Sequence, residues 1–292
     1  MILCRGNFTG LKTGAWQFRN ARVFQLALLL TRDCRSAFCA LNLGNAVFEW
    51  RVLMTGSILD AMGILIGGSL GLMLSRQFST ATQLAWRNFM GLMTVVVGLY
   101  LTWSGLNGSF LQIFKQVVIL ILALMMGRVA GRLLRIQSTL NRLGRSASQR
   151  FAAARPDDPN RTNDGFTICA LLFCAGPLGP IGAVQDGLMN YWQPLAIKMV
   201  LDGLAAMRFV TIFGWGVLLS AIPVLVYQGT ITLAVHRLEP FLRAHHLLDS
   251  INAMGGLLVF CVALIVLELK KLELADYLPS LVMAPMITWL WR

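Results

Sequence analysis

Lys198 and Asp202 stand four residues apart in a stretch that is otherwise apolar, from about Leu195 to Ile212, with Arg208 further along. Residues spaced by four share one face of a helix one turn apart, close enough for an ammonium and a carboxylate to pair. An ionisable group inside a bilayer costs roughly 2.5–3.5 kcal/mol on insertion scales, so each one needs a reason to be there. Three readings fit the pair: an ion pair that fixes helix register, a site facing a wet cavity, and a lysine that snorkels to the interface.

A second group lies just upstream. Gly176-Pro177-Leu178-Gly179-Pro180-Ile181-Gly182 interrupts an apolar stretch, and Gln185-Asp186-Gly187 follows at once. Each proline removes a backbone donor and clashes one turn back, so a straight helix cannot pass through Pro177 and Pro180. The expected form is a broken or re-entrant helix, with Gly176, Pro177, Gly179, Pro180 and Gly182 as the break. A broken helix frees backbone carbonyls and exposes a helix end, both able to meet an ion or the charged group of a solute. Asp186 then offers a carboxylate to a cation or a proton, or it is a cap in water at a helix end. Gln185 and Gln228 are neutral ligand candidates, Gln228 equally an interhelical hydrogen bonder. Asp60 and Asn252 complete the polar set; Asp60 lies close to the start of an apolar stretch, where a surface position competes with a relay role.

These residue types support binding or proton transfer more readily than covalent catalysis. There is no Gly-x-x-x-x-Gly-Lys-Ser/Thr loop for nucleotide phosphates, no His-Glu-x-x-His for zinc and no Gly-x-Gly-Asp of an intramembrane aspartyl protease. The six Cys include no Cys-x-x-Cys. No catalytic residue, metal or cofactor is expected, and the chain is not read as an enzyme.

The elements that must position these groups are membrane helices. Of 292 residues, 57% are hydrophobic and only 13% charged, with a mean hydropathy of +0.67. A soluble domain of this length needs more charge to cover its surface. Apolar runs of nearly twenty residues recur, each long enough for a hydrocarbon core of roughly 30 Å. They do not alternate apolar with polar, which points to helices rather than a barrel. The fold expected is an all-α, polytopic bundle of about seven to eight transmembrane segments, near residues 57–74, 88–103, 117–134, 165–184, 195–212, 217–233, 251–267 and 274–291. The net charge of +12 sits between these segments and encodes topology, not nucleic-acid binding. Residues 135–164 form the most basic interval and read as a cytoplasmic loop touching anionic lipid. A polar link follows the sixth segment, with His236, Arg237, Glu239, Arg243, His245 and His246.

Residues 1–53 form a separate N-terminal extension holding three of the six Cys, six Arg and one Lys. A poor signal peptide, a disordered tail and translation from a start codon placed too early all fit. The last is favoured, because a well-formed membrane segment follows Met54 directly. Residues 54–292 are the membrane domain. Within it, Ser57-Ile58-Leu59-Asp60-Ala61-Met62-Gly63 is echoed by Ser250-Ile251-Asn252-Ala253-Met254-Gly255, a short hint of an internal repeat.

Several motifs together resemble the YqgA/YdfK-like family of bacterial membrane proteins, domain of unknown function 554. They are Thr55-Gly56-Ser57 with Gly63-Ile64-Leu65-Ile66-Gly67-Gly68, Gly182-Ala183-Val184-Gln185-Asp186-Gly187-Leu188, Lys198 with Asp202-Gly203, Ser220-Ala221-Ile222-Pro223, Tyr227-Gln228-Gly229, Gly255-Gly256-Leu257-Leu258, and Leu278-Pro279-Ser280-Leu281 with Ala284-Pro285. The likeness runs from Met54 to Trp291, and family members begin near this Met54. Asp60, where the pattern leads one to expect Asn, and the Pro177/Pro180 pair depart from it. The resemblance implies a bacterial membrane protein and brings no established activity.

The leading expectation is a secondary transporter or channel-like carrier of a small solute or ion in the inner membrane, with Asp186, Lys198, Asp202, Gln228 and Gln185 at the site. A non-transporting scaffold or sensor is the alternative, and an intramembrane enzyme a remote one. The partners expected are the lipid bilayer and the small solute or ion, not nucleic acid; a homo-oligomer is left open.

Overall fold

A computed structural model describes residues 54–74, 79–153 and 161–291, apart from the side chains of residues 151–153. The N-terminal extension read from the sequence lies outside these residues. All regular structure among them is helical: α1 (Thr55–Met73), α2 (Thr80–Ser104), α3 (Phe110–Leu133), α4 (Ile136–Ala153), α5 (Arg161–Ala175), α6 (Leu178–Met189), α7 (Gln193–Phe213), α8 (Gly216–Leu219), α9 (Ala221–Ala244), α10 (Leu248–Val266), a 3₁₀ turn (Leu274–Tyr277) and α11 (Ser280–Leu290).

The helices begin and end where local chemistry demands it. Ser79 caps α2 by accepting the Thr82 N–H at 3.2 Å, and Ser109 with Gln112 forms a capping box at the start of α3. Asn190 closes α6 in the left-handed conformation. Five segments are long and apolar enough to cross a membrane, and the α5–α6 pair makes a sixth if it is one bent span. The 21 residues of α7 also reach roughly 30 Å at 1.5 Å per residue. Lys198, Asp202 and Arg208 lie within that length. Residues 274–290 form a shorter apolar eighth piece.

Two sequence expectations change. Residues 135–164 are not a loop throughout, since α4 occupies 136–153. Ile136, Leu140, Leu143 and Ala147 recur at helical spacing, and Ala147 is fully buried, while Arg142, Arg145 and Arg150 take other faces; charge density masked the apolar period. The polar link after the sixth segment is helical as well. There α9 runs on to Ala244, through Pro240, so His236 projects from a helix that continues into the apolar bundle.

Helix pairs meet along glycine seams. In the α1–α7 pair Gly63 lies on Met199, Gly67 on Gly203 and Gly71 on Met207, an ascending register that makes these helices parallel. A methyl group at Gly67 would collide with the Gly203 backbone. The α2–α10 pair is antiparallel: Gly91 lies on Leu267, Gly98 on Phe260 and Gly105 on Ala253. Small residues let backbones close in, which is the main attraction between helices where lipid is as apolar as leucine. The outer faces stay apolar: only 22% of the α3 membrane window is buried, and Leu99, Tyr100, Phe110 and Leu111 are exposed. Apolar outside and ionised inside is the pattern of a protein solvated by lipid.

The break between α5 and α6 bends the chain by 61°. Gly165 packs on Phe213, Gly179 beside Lys198, and Gly182 on Leu195. Both pieces therefore descend along α7 in one direction, and the break is a kink in a continuing span. Pro177 cannot donate to the Phe173 carbonyl, nor Pro180 to that of Gly176; Gly179 N–H takes over the latter at 3.1 Å.

Candidate functional site

The centre of the site is Lys198. Its Nζ donates to Asp60 Oδ2 at 2.7 Å and to Asp202 Oδ2 one turn further along α7. Gln228 of α9 donates from Nε2 to the same Asp60 Oδ2 at 2.6 Å. Asp60 and Gln228 have no accessible surface, Lys198 keeps 3%, and the Asp202 side chain retains 15%. Three helices converge because α1 and α7 touch backbone to backbone at Gly63 and Gly67, just past Asp60. The fourth wall is the helix break, since a methyl group at Gly179 would come within 3.4 Å of Gln228 Nε2 and 3.5 Å of Lys198 Cε.

The charge count is unbalanced. One ammonium faces two carboxylates, so the ionised cluster carries a net charge of −1 in an apolar interior. Asp60 Oδ1 and Gln228 Oε1 are buried without a hydrogen-bond partner. Buried acceptors without donors are costly, on the order of 1–3 kcal/mol each and more when charged. Both observations leave room for one added positive charge.

Of the residues expected at the site, Lys198, Asp202 and Gln228 are brought together. Asp186 and Gln185 are not in this cluster; they lie on α6, toward the end of the bundle where α1 begins. Asp186 Oδ2 accepts the Gly56 N–H at 3.0 Å, so it caps the start of α1 with a carboxylate, where the helix dipole favours negative charge. The cap is buried, at 1% exposure, rather than in water, and its Oδ1 has no partner. Gln185, next in the chain, turns to the other side of α6 and donates to the Asn252 carbonyl at 3.4 Å. Asn252 Nδ2 in turn donates to Ser104 Oγ at 2.9 Å.

Asp60 is the member of the cluster that the sequence alone undervalues. It stands one turn after Gly56, one turn before Gly63 and two before Gly67, on the very face that α7 covers. A carboxylate in register with a glycine seam is aimed at a neighbouring helix, and that signal was present in the sequence.

Between α1, α6 and α9 runs a second, uncharged file. Ser57 Oγ and Thr232 Oγ1 lie 3.3 Å apart, Thr232 donates to the Ala183 carbonyl at 3.2 Å, and His236 Nδ1 lies 3.3 Å from the Gly187 carbonyl. On the opposite flank, a cleft of about 670 Å³ opens between α2 and α7, with Arg87, Leu201, Leu204, Ala205 and Arg208 among its walls. Leu201 is the chain neighbour of Asp202.

The architecture is that of a polytopic helical membrane protein with an ionised core. Comparison with known proteins agrees: residues 55–289 match the family described as "Protein of unknown function (DUF554)". The chain belongs to that family. It is 25% identical over 234 residues to the "Uncharacterized membrane protein YdfK" of Bacillus subtilis (strain 168), covering 80% of this chain and 95% of the relative. It is 25% identical over 240 residues to the "Uncharacterized protein YqgA" of Escherichia coli (strain K12), covering 82% and 98%. No solved structure matches the chain.

Proposed function

We propose that this protein is a multi-pass carrier of the bacterial inner membrane, moving a small solute or ion with the Asp60–Lys198–Asp202 cluster as its charge-binding centre. It works by binding and release, not as an enzyme. The observation that carries the reading is the surplus carboxylate: two buried acids share one ammonium. A group that is neutral only when it holds a proton or a monovalent cation is a natural coupling site, because loading and unloading change the cost of its environment. The neighbouring Gly/Pro break supplies backbone with fewer internal hydrogen bonds, which lowers the cost of opening one side. The Arg87–Arg208 cleft reaches Leu201 from the flank and offers one approach to Asp202.

The orientation that follows from the positive-inside rule puts α4, with Arg142, Arg145 and Arg150, in the cytoplasm. The start of α1 and the Asp186 cap then face the outside.

One observation favours a scaffold instead. Lys198 is fully paired and almost closed to solvent, as in an ion pair that only locks α1 to α7. Transport separates the two readings. Purified protein in liposomes, under an imposed proton or sodium gradient, is followed with an interior ion-sensitive dye. The carrier reading expects gradient-dependent flux that falls at least about 100-fold in Asp202→Asn, the lower range for loss of a proton-handling group. Flux in the variant equal to wild type removes Asp202 from the mechanism, and the absence of gradient-dependent flux in wild type leaves the scaffold reading standing.

A further inference from the structure

We infer that the positive charge taken up by the cluster is a proton, and that it arrives along a file of polar groups on α9 that ends at His236. The inference rests on the carrier reading and deepens it, naming the ion and its route.

Gln228, Thr232 and His236 are spaced four residues apart, so they form one stripe on α9. Each touches a partner across the α1–α6–α9 seam. Gln228 meets Asp60, Thr232 meets Ser57 and the Ala183 carbonyl, and His236 meets the Gly187 carbonyl. The stripe runs from the ionised centre, where Asp60, Ser57, Gln228 and Thr232 are all fully buried, to a half-buried imidazole at the bundle end where α1 starts. Successive rungs are one helical turn apart, about 6 Å along the axis. Two apolar helices packed together need no such stripe, and every group in it can both receive and give a hydrogen or lies against one that can.

Selectivity follows from the closure. A sodium or potassium ion keeps several oxygen ligands as it moves and needs a continuous wet lumen. Groups with no surface open to a water-sized probe offer none. A proton needs only acceptors within a hop, with hydroxyl rotation or a transient single water between rungs.

The chemistry at each rung is balanced. The Gly187 carbonyl can only accept, so His236 holds its hydrogen on Nδ1 and presents Nε2 as the acceptor. A proton taken at Nε2 makes the ring an imidazolium, which releases the Nδ1 hydrogen from the Gly187 carbonyl inward, through a transient single water, to Thr232 Oγ1 one turn away. Thr232, its hydroxyl turned from the Ala183 carbonyl, passes its own hydrogen to Ser57, and Ser57 passes its own through a transient single water to Asp60 Oδ1, which has no hydrogen-bond partner in the closed structure. Each intermediate gains one proton and loses one, and the single net change is a protonated Asp60 that balances the cluster.

The test needs no knowledge of the carried solute. The full chain is placed in lipid vesicles and the buffer is exchanged from H2O to D2O, with infrared detection of the carboxylic-acid carbonyl stretch. The component of interest is the part of that band that Asp60→Asn removes. In wild type it should shift promptly. In Thr232→Val, which keeps the shape of the side chain, its exchange should slow at least about 100-fold, the lower range for loss of one proton-transfer group. Thr232→Ser should restore the rate, which distinguishes a lost hydroxyl from a damaged fold. Exchange in Thr232→Val at the wild-type rate overturns the route. Loss of the component when sodium chloride is added at constant pH overturns the proton. If Asp60→Asn removes no band in wild-type conditions, the surplus-charge reading fails as well, and the inference with it.

Discussion

The α1–α7 seam and the α2–α10 seam solve the same packing problem with different polar contents. Each brings two backbones together at glycines, Gly67 on Gly203 in one and Gly98 on Phe260 in the other. The echoed segments place Asp60 in the second turn of α1 and Asn252 in the second turn of α10. Neighbouring residues of α6 reach both helices, Asp186 to Gly56 and Gln185 to Asn252. Here the likeness ends. Asn252 answers to Ser104, a neutral pair. Asp60 answers to Lys198, which is already bonded to Asp202. The second seam associates without charge, so close packing of two helices does not by itself require the ions of the first.

Five substitutions, in three comparisons, break or sharpen this contrast. The largest effect belongs to Lys198→Met, which strands two carboxylates and should cost about 3–5 kcal/mol. Asn252→Ala, its counterpart in the neutral seam, should cost about 1–2 kcal/mol from one lost hydrogen bond and its orphaned partner. Thermal unfolding in detergent compares the two, and equal losses would erase the distinction. Next comes Asn252→Asp, which introduces a charge opposite Ser104 with no ammonium in reach. A destabilisation of roughly 2.5–3.5 kcal/mol is expected, and a variant as stable as wild type would mean that the neutral seam already tolerates ions. The last effect is shared: Gly67→Ala and Gly98→Ala should each cost about 1–3 kcal/mol by forcing the backbones apart. Melting temperatures that fall in only one of them would show that the seams do not carry equal packing loads.

Much of this organisation was legible in the sequence. The pair Lys198 and Asp202 was readable because an i, i+4 spacing survives folding, and the α5–α6 break because Pro177 and Pro180 forbid a straight helix wherever they fall. Gly63, Gly67 and Gly71 recur every four residues, a spacing that lets a neighbouring backbone approach. The missing part is what depends on distance along the chain. Asp60 is 138 residues from Lys198 and 130 separate Gly56 from Asp186, and no local period links either pair. Asp186 therefore read either as a carboxylate for a cation or proton or as a cap in water, whereas the fold buries it as a cap on another helix. The basic interval at 135–164 and the segment after Leu233 were read as loops because charge outweighed their apolar spacing. In both, a helix at the bundle end can keep its charges in water and still pack one face.

The surplus acid can be sought directly with a hydrophobic carbodiimide, which enters the bilayer and reacts with a carboxyl group that holds a proton. Membranes containing the full chain are treated, digested and read by mass spectrometry. One modification per chain is expected in the central cluster, on Asp60 or Asp202, and it should vanish from both positions in Asp60→Asn and in Asp202→Asn, where a single carboxylate is left to balance Lys198. Label found only on Asp186, or label at the centre that persists after either substitution, would contradict the charge count on which the account stands.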